Sequence, residues 1–127
     1  MEIKLEDKLG YSFNNKDLLG LALIHKSFNN IENNERLEFL GDAILNAVIS
    51  EYLYLRFDSE NEGLLTRMRS YFVKAEMLTN KAEELGLTEY IKMSKGTANL
   101  DKKRQNSILD GVFEALLGSV FLDGVLE

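Results

Sequence analysis

Apolar residues recur along this chain at intervals of three and four, and the longest such series is Leu37, Leu40, Ala43, Ile44, Ala47, Val48, Tyr52 and Leu55. It predicts an amphipathic helix from about Glu35 to Phe57. Upstream, Leu18, Leu19, Leu21, Ala22 and Leu23 follow Asn14-Asn15 and predict a short apolar helix ending near Ser27, with a polar loop over Asn29 to Asn34. Downstream, Leu64, Leu65, Met68, Tyr71 and Phe72 carry helical spacing from Gly63 to about Asn80. Met77 to Leu85 adds a further turn or two, stopped by Gly86 in a C-cap role. Leu87 to Met93 reads as a short helix and Ser94 to Asn99 as a loop. A last helix starts near Leu100 or Ser107. Ile108, Leu109, Val112, Phe113, Leu116, Leu117, Val120 and Phe121 cover nearly its whole circumference, which places it through the middle of the core. No run of alternating character exceeds four residues. The pattern therefore predicts an all-α, single-domain fold.

Composition agrees: 127 residues suffice for one domain, and a hydrophobic fraction of 45% suffices for a core. The absence of cysteine excludes disulfide frameworks, thiolate zinc sites and cysteine nucleophiles. Neither a signal peptide nor an apolar span of membrane length is present, so a cytoplasmic protein that does not enter membranes is expected. A net charge of −6 argues against nucleic-acid binding until its distribution is considered. The stretch from Ile31 to Glu62 holds eight acids against Arg36 and Arg56, which equals the total charge. Lys92, Lys95, Lys102, Lys103 and Arg104 then form a basic segment, either a solvated surface or a set of phosphate contacts.

Two carboxylate pairs change the picture further. Glu38 and Asp42 are four residues apart on one predicted helix, and Asp110 and Glu114 are four apart on another. A four-residue step returns to within about 40° of the same helix face, roughly 6 Å along the axis. Like charges so placed repel unless a cation neutralises them. Four converging carboxylates without cysteine form a hard, oxygen-only site suited to Mg2+ or Mn2+. Blander roles are open as well: Glu38 as a solvated residue, and Asp110 as the acid of a capping box begun by Ser107. Glu114 sits among Val112, Phe113, Ala115, Leu116 and Leu117, where an uncompensated carboxylate costs several kcal/mol, so it needs a partner. His25 reads as a hydrogen-bonded structural histidine.

The run ERLEFLGDAIL, Glu35 to Leu45, resembles the signature of the ribonuclease III family, endonucleases that cut double-stranded RNA. GYSF, LALIHKSF, NEGLLTRMRS and SILDGVFEALLGSVFLDG resemble further blocks of that family in the same order, from about Leu9 to Gly124. The resemblance implies a helical endonuclease domain acting as a symmetric homodimer on double-stranded RNA, with Mg2+ or substituting Mn2+, and leaving short 3′ overhangs in RNA processing. It implies metal-binding catalytic roles for Glu38, Asp42 and Glu114, with Asp110 the candidate fourth acid. Glu35 and Glu62 match accessory acids, and Phe39 matches an aromatic that plugs into the partner subunit. Arg67, Arg69, Lys95, Lys102, Lys103 and Arg104 are left to contact phosphates.

Two departures from the family pattern stand out. The fourth acid normally stands three residues before the last Glu, which here is Gly111, with Asp110 one step earlier. That displacement rotates the side chain by about 100°. An alternative expectation is thus a catalytically impaired, RNA-binding processing subunit, and a third is a helical interaction domain whose acids are solvated. Bacterial members also continue into a further helix and a double-stranded-RNA-binding domain. Residues 1–127 are accordingly expected to form an endonuclease domain without that second domain, its last helix truncated.

Overall fold

Seven α-helices and one 3-10 turn make up the computed structural model, which describes residues 2–124, with side chains from Lys4 onward. In chain order these are α1 (Glu2–Leu9), α2 (Lys16–Ala22), α3 (Glu35–Arg56), α4 (Glu62–Val73), α5 (Ala75–Glu84), the 3-10 turn Leu87–Glu89, α6 (Lys95–Ala98) and α7 (Lys102–Asp123). Among the described residues the only β pairing is an isolated bridge between Ile24 and Lys92, so the all-α expectation holds. Polar residues between the apolar runs act as caps. Asn15, Asn61, Ser94 and Asp101 each accept from a backbone N–H in the first turn of α2, α4, α6 and α7. Gly86 takes the left-handed conformation (φ 64°) expected of a residue that ends a helix.

The structure corrects several predicted boundaries. α2 ends at Ala22, not near Ser27, because the chain leaves the helix to form the bridge, with His25 N donating to Lys92 O (2.9 Å) and Lys92 N to Leu23 O (2.8 Å). The same bridge reduces the expected helix over Leu87 to Met93 to the 3-10 turn. The helix expected from Gly63 to Asn80 breaks at Lys74, which is extended (φ −72°, ψ 154°). The break re-aims the chain: α4 buries no residue, whereas α5 buries Leu78, Thr79 and Ala82 on the side facing α7. The stretch from Ser94 to Asn99 holds the one-turn α6. α1 lies where periodicity predicted no helix. It buries Leu5 and also Glu6, whose carboxylate accepts from Phe13 N and Lys16 Nζ, both at 2.6 Å.

α7 runs through the core, packed on α3, α5 and α2. Its buried positions Leu109, Gly111, Val112, Ala115, Leu116, Gly118 and Ser119 include small residues where α3 crosses. At that crossing a Cβ on Gly41 would lie 1.6 Å from the Glu114 carbonyl oxygen, and one on Gly118 would lie 2.5 Å from the Leu37 carbonyl oxygen. Only glycine permits so close an approach of two backbones. Asp123 secures the far end of α7, accepting from Tyr11 Oη (2.6 Å), Asn14 N (2.7 Å) and Asn15 N (2.9 Å).

Candidate active site

The α3–α7 crossing brings the acids together. Glu38 and Asp42 flank Gly41 on α3, and the backbone of Glu114 lies directly against that glycine. Side chains of Glu35, Glu38, Phe39, Asp42 and Glu114 line an open pocket of about 370 Å³. Burial raises the Glu114 pKa to about 8, helped by a proton-sharing hydrogen bond with Asp42 and by the negative charges of Asp42, Glu38 and Asp110. Glu38 is also raised, first by burial and then by repulsion from Glu35, while Lys26 opposes the shift. Burial and the neighbouring carboxylates thus favour the neutral form of the embedded Glu114.

Asp110 points elsewhere. Its carboxylate accepts a short hydrogen bond from Thr79 Oγ1 on α5, and burial raises its pKa against that bond. Position 111 is the one that faces the acids, since a Cβ there would lie 2.6 Å from Glu38 Oε1. Ser107 and Asp110 form no capping box, because α7 already begins at Lys102 under the Asp101 cap. Glu35, exposed, pairs with Lys26 at 3.6 Å on the rim of the pocket. Glu62 opens α4, accepts from Thr66 Oγ1 (3.3 Å) and does not line the pocket. Phe39 is 81% exposed beside the acids.

The basic residues are dispersed. Arg69 donates to Ser50 Oγ (2.9 Å) and ties α4 to α3, whereas Arg67 stands free on exposed α4. Lys102 approaches Glu83 at 3.9 Å, Lys95 and Lys103 are exposed, and Arg104 lines a cavity that adjoins the acids. His25 has the structural bonding expected of it, Nδ1 lying 2.8 Å from Ser27 Oγ and 3.1 Å from Ser27 N.

The donor set suits a hard divalent cation: oxygen ligands only, with one carboxyl whose pKa is raised by burial and by the neighbouring carboxylates, a shift that a positive charge would oppose. As placed, no three acids or histidines among the described residues converge into a finished cage.

A family model described as ribonuclease-III-like matches residues 15–127. The chain belongs to the ribonuclease-III-like family. It is 46% identical over 124 residues to ribonuclease 3 of Aliarcobacter butzleri and 47% identical over 124 residues to that of Pseudomonas fluorescens SBW25. Each alignment covers 98% of this chain but only 55% and 54% of the relatives, so this ribonuclease-III-like chain spans about half their length. The nuclease domain of Campylobacter jejuni ribonuclease III superposes with a TM-score of 0.91 at 43% identity, covering 95% of this chain and 85% of that one. That protein is described as structurally flexible in a region involved in dimer formation. Dicer from Pichia stipitis, at 29% identity, gives a TM-score of 0.72 over 91% of this chain and half of its own. No helix among the described residues of this ribonuclease-III-like chain is long and apolar enough to cross a membrane.

Sequence reasoning missed the part that three residues play near the acids. Thr79, which claims Asp110, carried no signal. Lys26 and His25 did, as the HK of LALIHKSF, but their nearness to Glu35 and Glu38 depends on the bridge that ends α2.

Proposed function

We propose that this chain is an endonuclease domain that hydrolyses phosphodiester bonds in double-stranded RNA with a divalent metal, Mg2+ or Mn2+, leaving short 3′ overhangs in cytoplasmic RNA processing. The observation that carries the reading is the gathering of Glu38, Asp42 and Glu114 at one helix crossing, with Glu114 held protonated to about pH 8. Those three carboxylates would hold the metal. Asp110 is the remaining candidate acid and would reach it only by releasing Thr79. When bound, such an ion lowers the pKa of a water molecule and offsets charge on the phosphoryl group. Glu114 would hold the ion as a carboxylate, its proton released to solvent on binding, and Asp42 and Glu38 would share that role. No side chain is required as a nucleophile.

Glu35 and Glu62 serve on this reading as accessory acids. Phe39, exposed beside the acids, supports association with a second copy, each copy contributing one set of acids to a shared RNA-binding valley. Arg67, Arg69, Lys95, Lys102, Lys103 and Arg104 supply phosphate contacts around it, read by shape more than by sequence. Residues 1–127 act as the endonuclease domain.

The test is incubation of a long, end-labelled RNA duplex with the purified chain, in Mg2+ or in EDTA, beside single-stranded RNA of the same sequence. Metal-dependent shortening of the duplex alone, abolished by Glu114→Gln, is expected. A duplex left intact at enzyme excess and low salt overturns the proposal. Asp110→Asn and Gly111→Asp locate the fourth ligand: loss of cutting in the former assigns it to Asp110, and a gain in the latter shows that position 111 is where an acid serves.

A further inference from the structure

A second cavity, of about 440 Å³, adjoins the acid pocket and shares Glu35 and Glu38 with it. Its wall is made by His25 and Lys26 from the loop after α2, by Arg104 and Ser107 from α7, and by Gly111, against which the Glu38 carboxylate lies. A Cβ at that glycine would lie 2.6 Å from Glu38 Oε1, so the Glu38 carboxylate occupies the space a side chain would fill and stands between the two cavities.

The wall is rich in donors without partners. Ser27 N donates to His25 Nδ1, which leaves that nitrogen an acceptor and puts the ring proton on Nε2, for which the described residues offer no acceptor. The Arg104 guanidinium makes no hydrogen bond or ion pair among the described residues, and neither does Ser107 Oγ. Lys26 pairs only loosely with Glu35, at 3.6 Å with both side chains exposed, which offsets the nearest acid. A cation would be repelled by Lys26 and Arg104, and an apolar ligand would leave them unanswered. A ligand with several anionic oxygens satisfies the neutral Nε2–H, the hydroxyl and the guanidinium fork together.

We propose that this cavity is a phosphodiester subsite. It holds the phosphate next to the one being cut, on the same RNA strand, and so fixes the register of that strand over Glu38, Asp42 and Glu114. The inference rests on the proposed nuclease reading for the identity of the strand.

His25 is the chain's only histidine, so its ring Cε1–H resonance is an unambiguous probe. The experiment titrates the whole chain, in EDTA and low salt, with the 5′-phosphorylated dinucleotide pUpU, with UpU and with inorganic phosphate. A saturable His25 shift with pUpU and with UpU is expected, weakened by about tenfold or more in Arg104→Gln, whose free His25 resonance matches the wild type. In duplex cleavage the same variant raises KM more than it lowers kcat. A shift with inorganic phosphate alone marks a simple anion site and overturns the strand assignment. No shift at millimolar pUpU, or one indifferent to Arg104→Gln, overturns the subsite. Failure of the wild type to cut duplex RNA refutes the nuclease reading separately, because the dinucleotide titration needs no turnover.

Discussion

Replacing Gly41 by alanine tests whether the α3–α7 crossing sets the site. The added Cβ would lie 1.6 Å from the Glu114 carbonyl oxygen and 2.5 Å from its carbonyl carbon, roughly 1.8 Å inside the 3.4 Å of ordinary contact. The obstacle is backbone on both sides, so no side-chain rotation relieves it. α3 and α7 must part by a distance of that order or shift along one another. Overpacking that side chains can absorb costs about 1–3 kcal/mol, so the expectation here is about 3 kcal/mol or more. For a chain of this size that lowers Tm by roughly 10 °C or more. Urea unfolding followed by helical circular dichroism measures it. Gly20→Ala is the control: nothing lies within 4 Å of its Cβ in the middle of α2, so it should gain about 0.5–1 kcal/mol. If Gly41→Ala does not fold, Gly118→Ala grades the same contact, its Cβ lying 2.5 Å from Leu37 O. A second readout is the rise in Tm on adding Mg2+, which should shrink as Glu38 and Asp42 withdraw from Glu114. A Gly41→Ala protein within 1 kcal/mol of the wild type would refute the idea that backbone contact positions the acids.

Glu114 makes stability depend on pH in a direction opposite to an ion-paired acid. Its folded pKa, near 8, lies above the ordinary 4.5, so the native state retains a proton that the unfolded chain has lost. The resulting stabilisation is complete below about pH 4.5 and disappears as pH rises through 8, about 1–2 kcal/mol once solvent screening of a half-exposed group is allowed for. Urea midpoints in EDTA should therefore fall between about pH 5 and 8 and flatten in Glu114→Gln; identical slopes in the two proteins would count against it. Thr79→Val leaves the half-buried Asp110 carboxylate without its donor and should cost about 1–2 kcal/mol without altering the Mg2+-induced rise in Tm. A larger rise would mean that Asp110, once released by Thr79, serves the metal.

Much of this arrangement is legible in the sequence. The period of α3 locates it to within a residue, Glu35–Arg56 against an expected end at Phe57, although the stripe it buries is Leu37, Gly41, Leu45 and Leu53, and Val48, Tyr52 and Leu55 of the expected apolar series are exposed. Glu38, Asp42 and Glu114 are similarly visible as acids on apolar helices. Asp110 shows where face arithmetic stops. It lies within about 40° of Glu114's face, yet the contact line against α3 runs through 111, 114 and 118, and Asp110 falls on the α5 side of that line. Which neighbour covers which edge of α7 depends on the turn at Lys74, where neither proline nor glycine announces a break. The end of α2 was hidden for a similar reason, since it follows from one pair of long-range backbone hydrogen bonds at Ile24 and Lys92.

That backbone bridge joins two loops remote from one another in sequence. Ser27 Oγ reinforces it by accepting from Ser94 N (3.0 Å), and Gln105 Nε2 extends the linkage into α7 by donating to Thr97 O. The corner is mechanically one body spanning three remote stretches of chain, without a sheet to hold it. A fluctuation that frees Lys92 also unseats His25, so opening of this corner is collective and does not proceed loop by loop.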